Sequence, residues 1–296
     1  MTKRRNLVIV RAGDASLHEQ WLAGDGARNW DLIVNYFGDD PERYRKDDVQ
    51  RIDSKGPKWP ALHDLIHKLG EDVFCYDRVW LPDDDLSATK TGINLLFDVI
   101  GKHGLALAQP ALTPDSHLGH LITLHNRSFH LRFTNFVEIM APCFNRDFLQ
   151  QMLPSFNENL SGWGLDFYWP TRIADWTRIA IIDAVTVRHT RPVGGPNYRH
   201  LVSGGKDPRQ ELRELLGKYG VTPQPPFVRG AIDKSDRRLS MYDVTARDLI
   251  DNIIIGYLPE VAKHPRPLMN LVRPNLDQLC QGAIAAAPPV AALKAS

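Results

Sequence analysis

Cysteine is scarce in this chain: Cys75, Cys143 and Cys280 are the only three in 296 residues. Their separations fit neither a zinc motif nor a disulfide framework, so a reducing cytoplasm is the expected compartment. Charge of one sign is also lacking. Lys+Arg number 36 and Asp+Glu 35, a formal net charge of +1, and without a basic excess the chain has no field that would gather nucleic acid by bulk charge. No uncharged apolar stretch approaches the ~20 residues of a membrane-spanning helix. The run Leu7-Val8-Ile9-Val10 behind the basic start is too short for a signal-peptide core and ends at Arg11. No internal repeat is visible. With 43% hydrophobic and 24% charged residues, the composition is that of a globular protein able to bury a core.

Strands and helices alternate along the first two-thirds of the chain. Leu7 to Val10 reads as a strand buried on both faces, and Gly13-Asp14 with Ser16 supplies a turn and cap for a helix from about Leu17. A second strand covers Trp30 to Phe37 and ends in the loop Gly38-Asp39-Asp40-Pro41. Pro60 sits at a helix start, with Leu62, Leu65, Ile66 and Leu69 at helical spacing and Gly70 as the stop. The strand Tyr76 to Leu81 follows. Beyond it the pattern predicts a helix over Thr91 to Lys102, strands over Leu105 to Gln109 and Phe136 to Ala141, a helix from Asp147, and a long strand Ile179 to Val187 ending at Arg188-His189. Such alternation predicts an α/β fold, a mainly parallel sheet flanked by helices with its ligands beyond the carboxyl ends of the strands.

Three motifs carry chemistry. The first is Pro82-Asp83-Asp84-Asp85, at a strand end. Three adjacent carboxylates repel one another and cannot be buried unpaired, whereas a divalent cation held by one or two of them keeps open positions for phosphate oxygens. The second is Gly162-Trp163-Gly164-Leu165-Asp166, where glycines let the turn present an indole and Asp166 opens a helix whose dipole favours its ionised form. An indole beside a fixed carboxylate suits a sugar ring and its hydroxyl. The third is His189, whose imidazole could reach the ion held by Asp83 and Asp85. Solvated turn residues, a packed tryptophan with a capping aspartate, and a hydrogen-bonded strand-end histidine are the plainer readings of the same three segments.

The order Asp-x-Asp, then Gly-Trp-Gly-x-Asp, then Arg-His after a strand resembles GT-A glycosyltransferases, especially the inverting, metal-dependent galactosyltransferase type. Over roughly residues 6 to 195, the stretches Val79 to Leu86, Phe136-Val137-Glu138-Ile139-Met140-Ala141-Pro142 and Gly162 to Phe167 look like the domain-of-unknown-function family 707. Members of that family are sometimes labelled lysine-ketoglutarate-reductase trans-splicing related, a label that offers no mechanism.

The resemblance implies a GT-A-like, Rossmann-related domain over residues 1 to 200 that transfers a sugar from a nucleotide-sugar donor, most simply a UDP-sugar, to a carbohydrate or glycolipid hydroxyl with inversion. It implies Mn2+ or Mg2+ on Asp83, Asp85 and His189, and Asp166 as the acceptor base with Glu138 as the competing candidate. Arg11, Gly13, Asp14, Asp39, Lys58, Asp84, Trp163 and Gly164 would face the donor. Residues 201 to 282 are expected as a helical and loop extension, with a helix over Pro208 to Tyr219, and the Ala-rich 283 to 296 as a disordered tail. Peripheral membrane contact stays open. Two rival readings are a nucleotidyltransferase, for which Arg11-Ala12-Gly13-Asp14 is a poor phosphate loop, and a non-catalytic nucleotide or sugar-binding protein, which would not need both a metal shell and a base.

Overall fold

The computed structural model describes residues 4–192, 205 and 207–247. A mixed sheet of eleven strands runs through the described residues in the order β11-β10-β7-β9-β6-β8-β4-β1-β2-β3, with β5 added against β9. The parallel half is built as the sequence pattern predicts. β1 (Asn6–Ala12) lies between β2 (Trp30–Tyr36) and β4 (Arg78–Trp80), parallel to both, and β2 carries β3 (Gln50–Asp53) as the parallel edge. β4 continues antiparallel through β8 (Cys143–Asn145) to β6 (Leu107–Leu112), which pairs parallel with β9 (Ile179–His189). The far side is antiparallel: β7 (Phe129–Thr134) on β9, then β10 (Val228–Asp233) and β11 (Arg238–Ser240).

Both faces of β1 are covered, which is why its sequence is apolar without alternation. Leu7 and Ile9 pack with Trp59, Leu62, Leu65 and Ile66 of α2 (Lys58–Leu69) and with Phe148 and Leu149 of α5 (Arg146–Met152). Val8 and Val10 pack on the other face with Trp21 of α1 (His18–Trp21) and Ile93, Leu96 and Phe97 of α4 (Lys90–Lys102). Each such side chain, fully withdrawn from water, contributes ~1.5–3 kcal/mol of transfer free energy. α3 (Glu71–Phe74) is a single turn leading into β4.

The path of the chain fixes where a ligand can sit. From β1 it winds outward to β2 and β3, then crosses back through α2 to β4 on the other side of β1. The winding direction reverses between β1 and β4, and the carboxyl ends of two strands that part in this way frame a crevice. Those ends carry Gly13 and the three aspartates Asp83 to Asp85.

Three expectations differ from the structure. Phe136 to Ala141 is not a strand: residues 135–142 form a buried loop behind β7. Its backbone is held partly by side chains, with the Phe136 N–H on Thr134 Oγ1 at 3.2 Å and the Glu138 N–H on Gln109 Oε1 at 2.6 Å, and partly by backbone bonds from Leu81 and Asp83 to its far end, so apolar residues are buried there without a regular ladder. β3 and β7 went unread in the sequence. β3 is an exposed edge with polar residues, Gln50-Arg51-Ile52-Asp53, and carries no apolar run. Beyond residue 206, α6 (Leu165–Tyr168) meets α7 (Pro208–Lys218), whose Leu215 and Leu216 join the core. The hairpin β10-β11 extends the sheet and leads into α8 (Met241–Arg247). The stretch expected as a helical and loop extension has its helix at Pro208–Lys218 and also contributes strands, because β7 offers them an open edge. The Gly194-Gly195-Pro196 turn, residues 248–282 and the Ala-rich tail lie outside the described residues. No helix among the described residues is long and apolar enough to cross a membrane.

A buried ion pair ties β7 to β9 in the antiparallel half. Arg132 on β7 grips Asp183 on β9 with Nε to Oδ2 at 2.8 Å and Nη2 to Oδ1 at 2.9 Å, and Nη2 also donates to the Leu124 carbonyl at 2.6 Å. The Asn126 N–H adds a bond to Asp183 Oδ1 at 2.8 Å. Removing one partner leaves an uncompensated buried charge. Arg132→Met should cost ~3–5 kcal/mol in urea-unfolding experiments. Adding Asp183→Leu should recover part of that loss, because it removes the stranded carboxylate.

Candidate active site

β4 delivers the three aspartates, and antiparallel backbone contacts carry it past its last residue: the Leu81 N–H donates to Pro142 O at 2.9 Å and the Asp83 N–H to Met140 O at 2.8 Å. β5 (Leu86–Ser87) then pairs with the end of β9, Leu86 opposite His189 and Ser87 opposite Arg188. This short ladder sets Asp85 beside His189. Asp85 Oδ2 lies 3.3 Å from His189 Nε2, and the Asp85 carbonyl accepts from the Thr190 N–H at 3.1 Å and hydroxyl at 2.8 Å.

Each carboxylate of the triplet meets its own basic side chain. Asp83 Oδ1 takes the Lys58 ammonium, whose other contact is the Ile139 carbonyl at 3.0 Å. Asp84 accepts from the Gly13 N–H at 2.8 Å and from Arg191 Nη1 at 3.1 Å, so it ties the end of β1 to the end of β9. Asp85 has His189. Burial still wins at two of them: it pushes the Asp83 and Asp84 carboxyls above the ordinary value, although Lys58 opposes it at Asp83 and Gly13 and Arg191 oppose it at Asp84.

His189 is held in one tautomer. Its Nδ1 is 2.6 Å from the His117 carbonyl, an atom that can only accept, so Nδ1 carries the proton and the Nε2 lone pair faces Asp85. The Ser116 hydroxyl fixes the His189 backbone N–H at 3.1 Å. Two lone pairs turned toward each other need a proton or a metal cation between them. Burial disfavours the imidazolium, but Asp85 outweighs it and the His189 pKa lies above its ordinary value.

Among the described residues no three His, Cys, Asp or Glu side chains converge as a complete metal site. The donor set nevertheless fits a divalent ion in part. Asp85 Oδ1 is buried with no hydrogen-bond partner among the described residues. The 3.3 Å between Asp85 Oδ2 and His189 Nε2 is close to the separation of two ligand atoms sharing one ion at ~2.1 Å each. An ion with two protein ligands keeps its other positions for water and phosphate oxygens.

Two further carboxyls stand nearby. Glu138, in the 135–142 loop, is 8% exposed and its Oε2 has no partner among the described residues. Burial first, then the Asp166 charge, raises its pKa to about 8, against the pull of His189. Asp166, 6% exposed, accepts the Phe167 N–H at 3.1 Å. The sequence expectation that the helix dipole keeps Asp166 ionised is reversed: burial outweighs its backbone donors and raises its pKa to about 7, and α6 has only four residues to supply a dipole.

The glycine motif serves a tryptophan, but the ring that demands it is Trp59. A Cβ on Gly162 would lie 2.1 Å from Trp59 Cδ1, and Gly162 has φ +79°. Trp59 is thereby wedged between Gly162, Phe156 and Trp169. Gly164, at φ +96°, caps α6, and Trp163 is half-buried with its carbonyl held by Asn159.

The remaining expected donor residues are spread more widely. Arg11 is buried, and its guanidinium is engaged by Asn35, Ser54 and Gly56. Asp14 bonds the Tyr36 hydroxyl, and Asp39 pairs with Lys55 at the surface. Sequence reasoning passed over Gln109, which holds the Glu138 backbone, and Arg191, two residues beyond the histidine. An uncharged polar residue inside the apolar β6 was the signal for Gln109; Arg191 had none.

Residues 54–214, more than half of the chain, match DUF707, a family described as protein of unknown function. No curated protein matches the chain. Among solved structures, glucosyl-3-phosphoglycerate synthase from Mycobacterium tuberculosis, in complex with Mn2+, UDP-glucose and phosphoglyceric acid, is 16% identical over 80% of this chain and 86% of that one, with a TM-score of 0.45. GalNAc-T7 with UDP, GalNAc and Mn2+ is 10% identical over 75% of this chain and 55% of that one, at 0.49.

A carboxyl whose folded pKa is raised favours the folded state at low pH and loses that contribution as pH climbs from its unfolded value toward the folded one. For Asp166 the window runs from 3.8 to about 7. With EDTA present, Asp166→Asn should therefore be more stable than the native protein at pH 8, by on the order of 2–4 kcal/mol. The gain should vanish near pH 4. Urea unfolding at the two pH values measures it, and equal gains at both would contradict the buried-carboxyl account.

Proposed function

The chain belongs to the DUF707 family, and we propose that it is a metal-dependent glycosyltransferase that moves a sugar from a nucleotide-sugar donor, a UDP-sugar in the simplest case, to a carbohydrate or glycolipid hydroxyl with inversion. The observation that carries this reading is the pairing of Asp85 with Nε2 of His189 at the β1/β4 crevice, beside two buried carboxyls of raised pKa. One half of that arrangement suits a bound cation and the other half suits proton transfer.

A divalent ion, Mn2+ or Mg2+, held by Asp85 and His189 with Asp83 in reach, would supply positive charge for the departing nucleoside diphosphate. Asp166 is the acceptor base. With a pKa of about 7, a substantial fraction is ionised at neutral pH, and a base poised near the working pH combines the right protonation state with useful basicity. Glu138, at about 8, keeps its proton at pH 7 and can donate a hydrogen bond to the donor sugar. Asp166 on α6 and Glu138 in the 135–142 loop are both buried away from bulk water, which limits hydrolysis of the donor.

The other residues support the donor site in their own ways. Gly13 brings backbone close to Asp84, and a side chain there would strike Phe37, whose ring lies 2.8 Å from the Cβ position. Lys58 faces the diphosphate from α2. Asp14 and Asp39 lie on the loops after β1 and β2, on the nucleoside side, while Arg11 braces the crevice wall through Asn35 and Ser54. Trp163 and Gly164 belong to the donor side in this reading, with Gly164 packed against Leu212 and Leu215 of α7.

Calorimetry with UDP and Mn2+ tests the clamp. Asp85→Ala and His189→Ala should each weaken metal-dependent UDP binding by at least ~tenfold; binding that stays as tight and as metal-dependent would falsify the assignment.

The chemistry is tested on the base. Asp166→Asn should keep UDP affinity and lose ~10²–10⁴ in turnover with any accepted donor and acceptor, while Glu138→Gln should lose less. The native kcat/KM should rise through a limb near pH 7 as Asp166 ionises. A product that retains the donor's anomeric configuration would remove inversion from the account.

A further inference from the structure

The ammonium of Lys58 occupies Oδ1 of Asp83, one of the two oxygens through which a second aspartate ligand would reach the ion. Lys58 opens α2, and its position is set from below: its Nζ lies 4.9 Å from the Trp59 ring centroid, and Trp59 is itself locked against Gly162. Only 18% of the Lys58 side chain is exposed. Nζ donates to Asp83 Oδ1 and to the Ile139 carbonyl. Asp85 Oδ1, by contrast, is buried without a partner among the described residues. The crevice therefore holds one carboxylate satisfied by an internal cation and another that is short of one.

We propose that Lys58 is a built-in counter-ion that competes with the divalent cation for Asp83, so that the site takes up metal effectively only together with a phosphate-bearing ligand that gives the ammonium another partner. The inference rests on the reading of Asp83, Asp85 and His189 as the metal-binding set.

An ammonium and a divalent ion cannot both sit on Asp83 Oδ1. A metal that takes Asp83 through this oxygen must first displace Lys58, and its apparent affinity falls by the fraction of molecules in which the oxygen is free. If that fraction is ~10%, the penalty is ~tenfold. A diphosphate removes the penalty, because its oxygens accept from the ammonium as well as the carboxylate did. Metal and nucleoside diphosphate then bind with positive coupling, and the coupling is the same whichever binds first. The consequence is a site that stays closed to free metal and assembles with its donor.

Calorimetric titration with Mn2+, with and without UDP, tests this on the full chain. Lys58→Met keeps the stem on Trp59 and removes the charge; it should bind Mn2+ alone at least ~tenfold more tightly than the native protein, with a smaller further gain when UDP is present. Lys58→Gln should behave the same way. Lys58→Arg should keep the native pattern. A through-space effect of charge is separated by a double-mutant cycle: in an Asp83→Asn background the Lys58→Met gain should disappear, because there is no carboxylate left to contest. A gain that persists in that background, or no gain in the native one while UDP and Mn2+ still bind, overturns the competition and leaves the clamp intact. If Mn2+ binds none of these proteins with or without UDP, the clamp itself fails, and the role of Lys58 with it.

Discussion

Two residue pairs, Leu86 with His189 and Ser87 with Arg188, hold the carboxyl edge of this sheet together. They are all that β5 contributes, yet they bring the end of β9 across to the end of β4 and so put Asp85 against His189. The rest of the edge follows from that register. Thr190 then bonds the Asp85 carbonyl, and Arg191 reaches Asp84 and the Ala15 carbonyl, closing the end of β9 onto the turn after β1. A slip of one residue would turn His189 to the opposite face and leave Asp85 buried without a counter-charge.

The edge assembled in this way is rich in negative charge. Asp83, Asp84, Asp85, Glu138 and Asp166 meet Lys58, Arg191 and His189, and four of the five carboxyls have pKa values raised chiefly by burial. A core designed for stability alone would not be arranged like this, since each buried carboxylate opposes folding unless it is paired or protonated. Stability lost at one point of a fold and recovered elsewhere is characteristic of sites that bind charged ligands. Here the recovery comes from the two apolar layers on either side of β1 and from the paired Arg132 and Asp183.

Aromatic packing connects that core to the chemistry. Trp59 lies beneath Lys58, fills the space left by Gly162, and stacks edge-on against Trp169 and Phe156. The glycine motif that in sequence reads as a platform for Trp163 is, in the fold, a notch for Trp59. Gly162 is thus fixed by a residue more than 100 positions earlier, and the same contact sets the height of the Lys58 stem over the crevice.

The sequence by itself determined the alternation of strands and helices, the burial of β1 and β9, the acidic strand end, and the residues that gather there, because hydrophobic period and strings of adjacent carboxylates are local properties. It could not determine the state of those residues. The 135–142 loop has the apolar pattern of a strand, and contacts made in the fold, from the side chains of Thr134 and Gln109 and the backbone of Leu81 and Asp83, satisfy it along an irregular path. The edge strand β3 has no apolar pattern to read, since it buries little. Asp166 is local to a helix start, yet its proton affinity is set by what covers it. Pairing Asp83 with Lys58, Asp84 with Arg191 and Asp85 with His189 requires contacts across 25 to 107 positions of sequence. Electrostatics depends on distance and burial in three dimensions, and for groups so far apart in the chain neither exists until the sheet has closed.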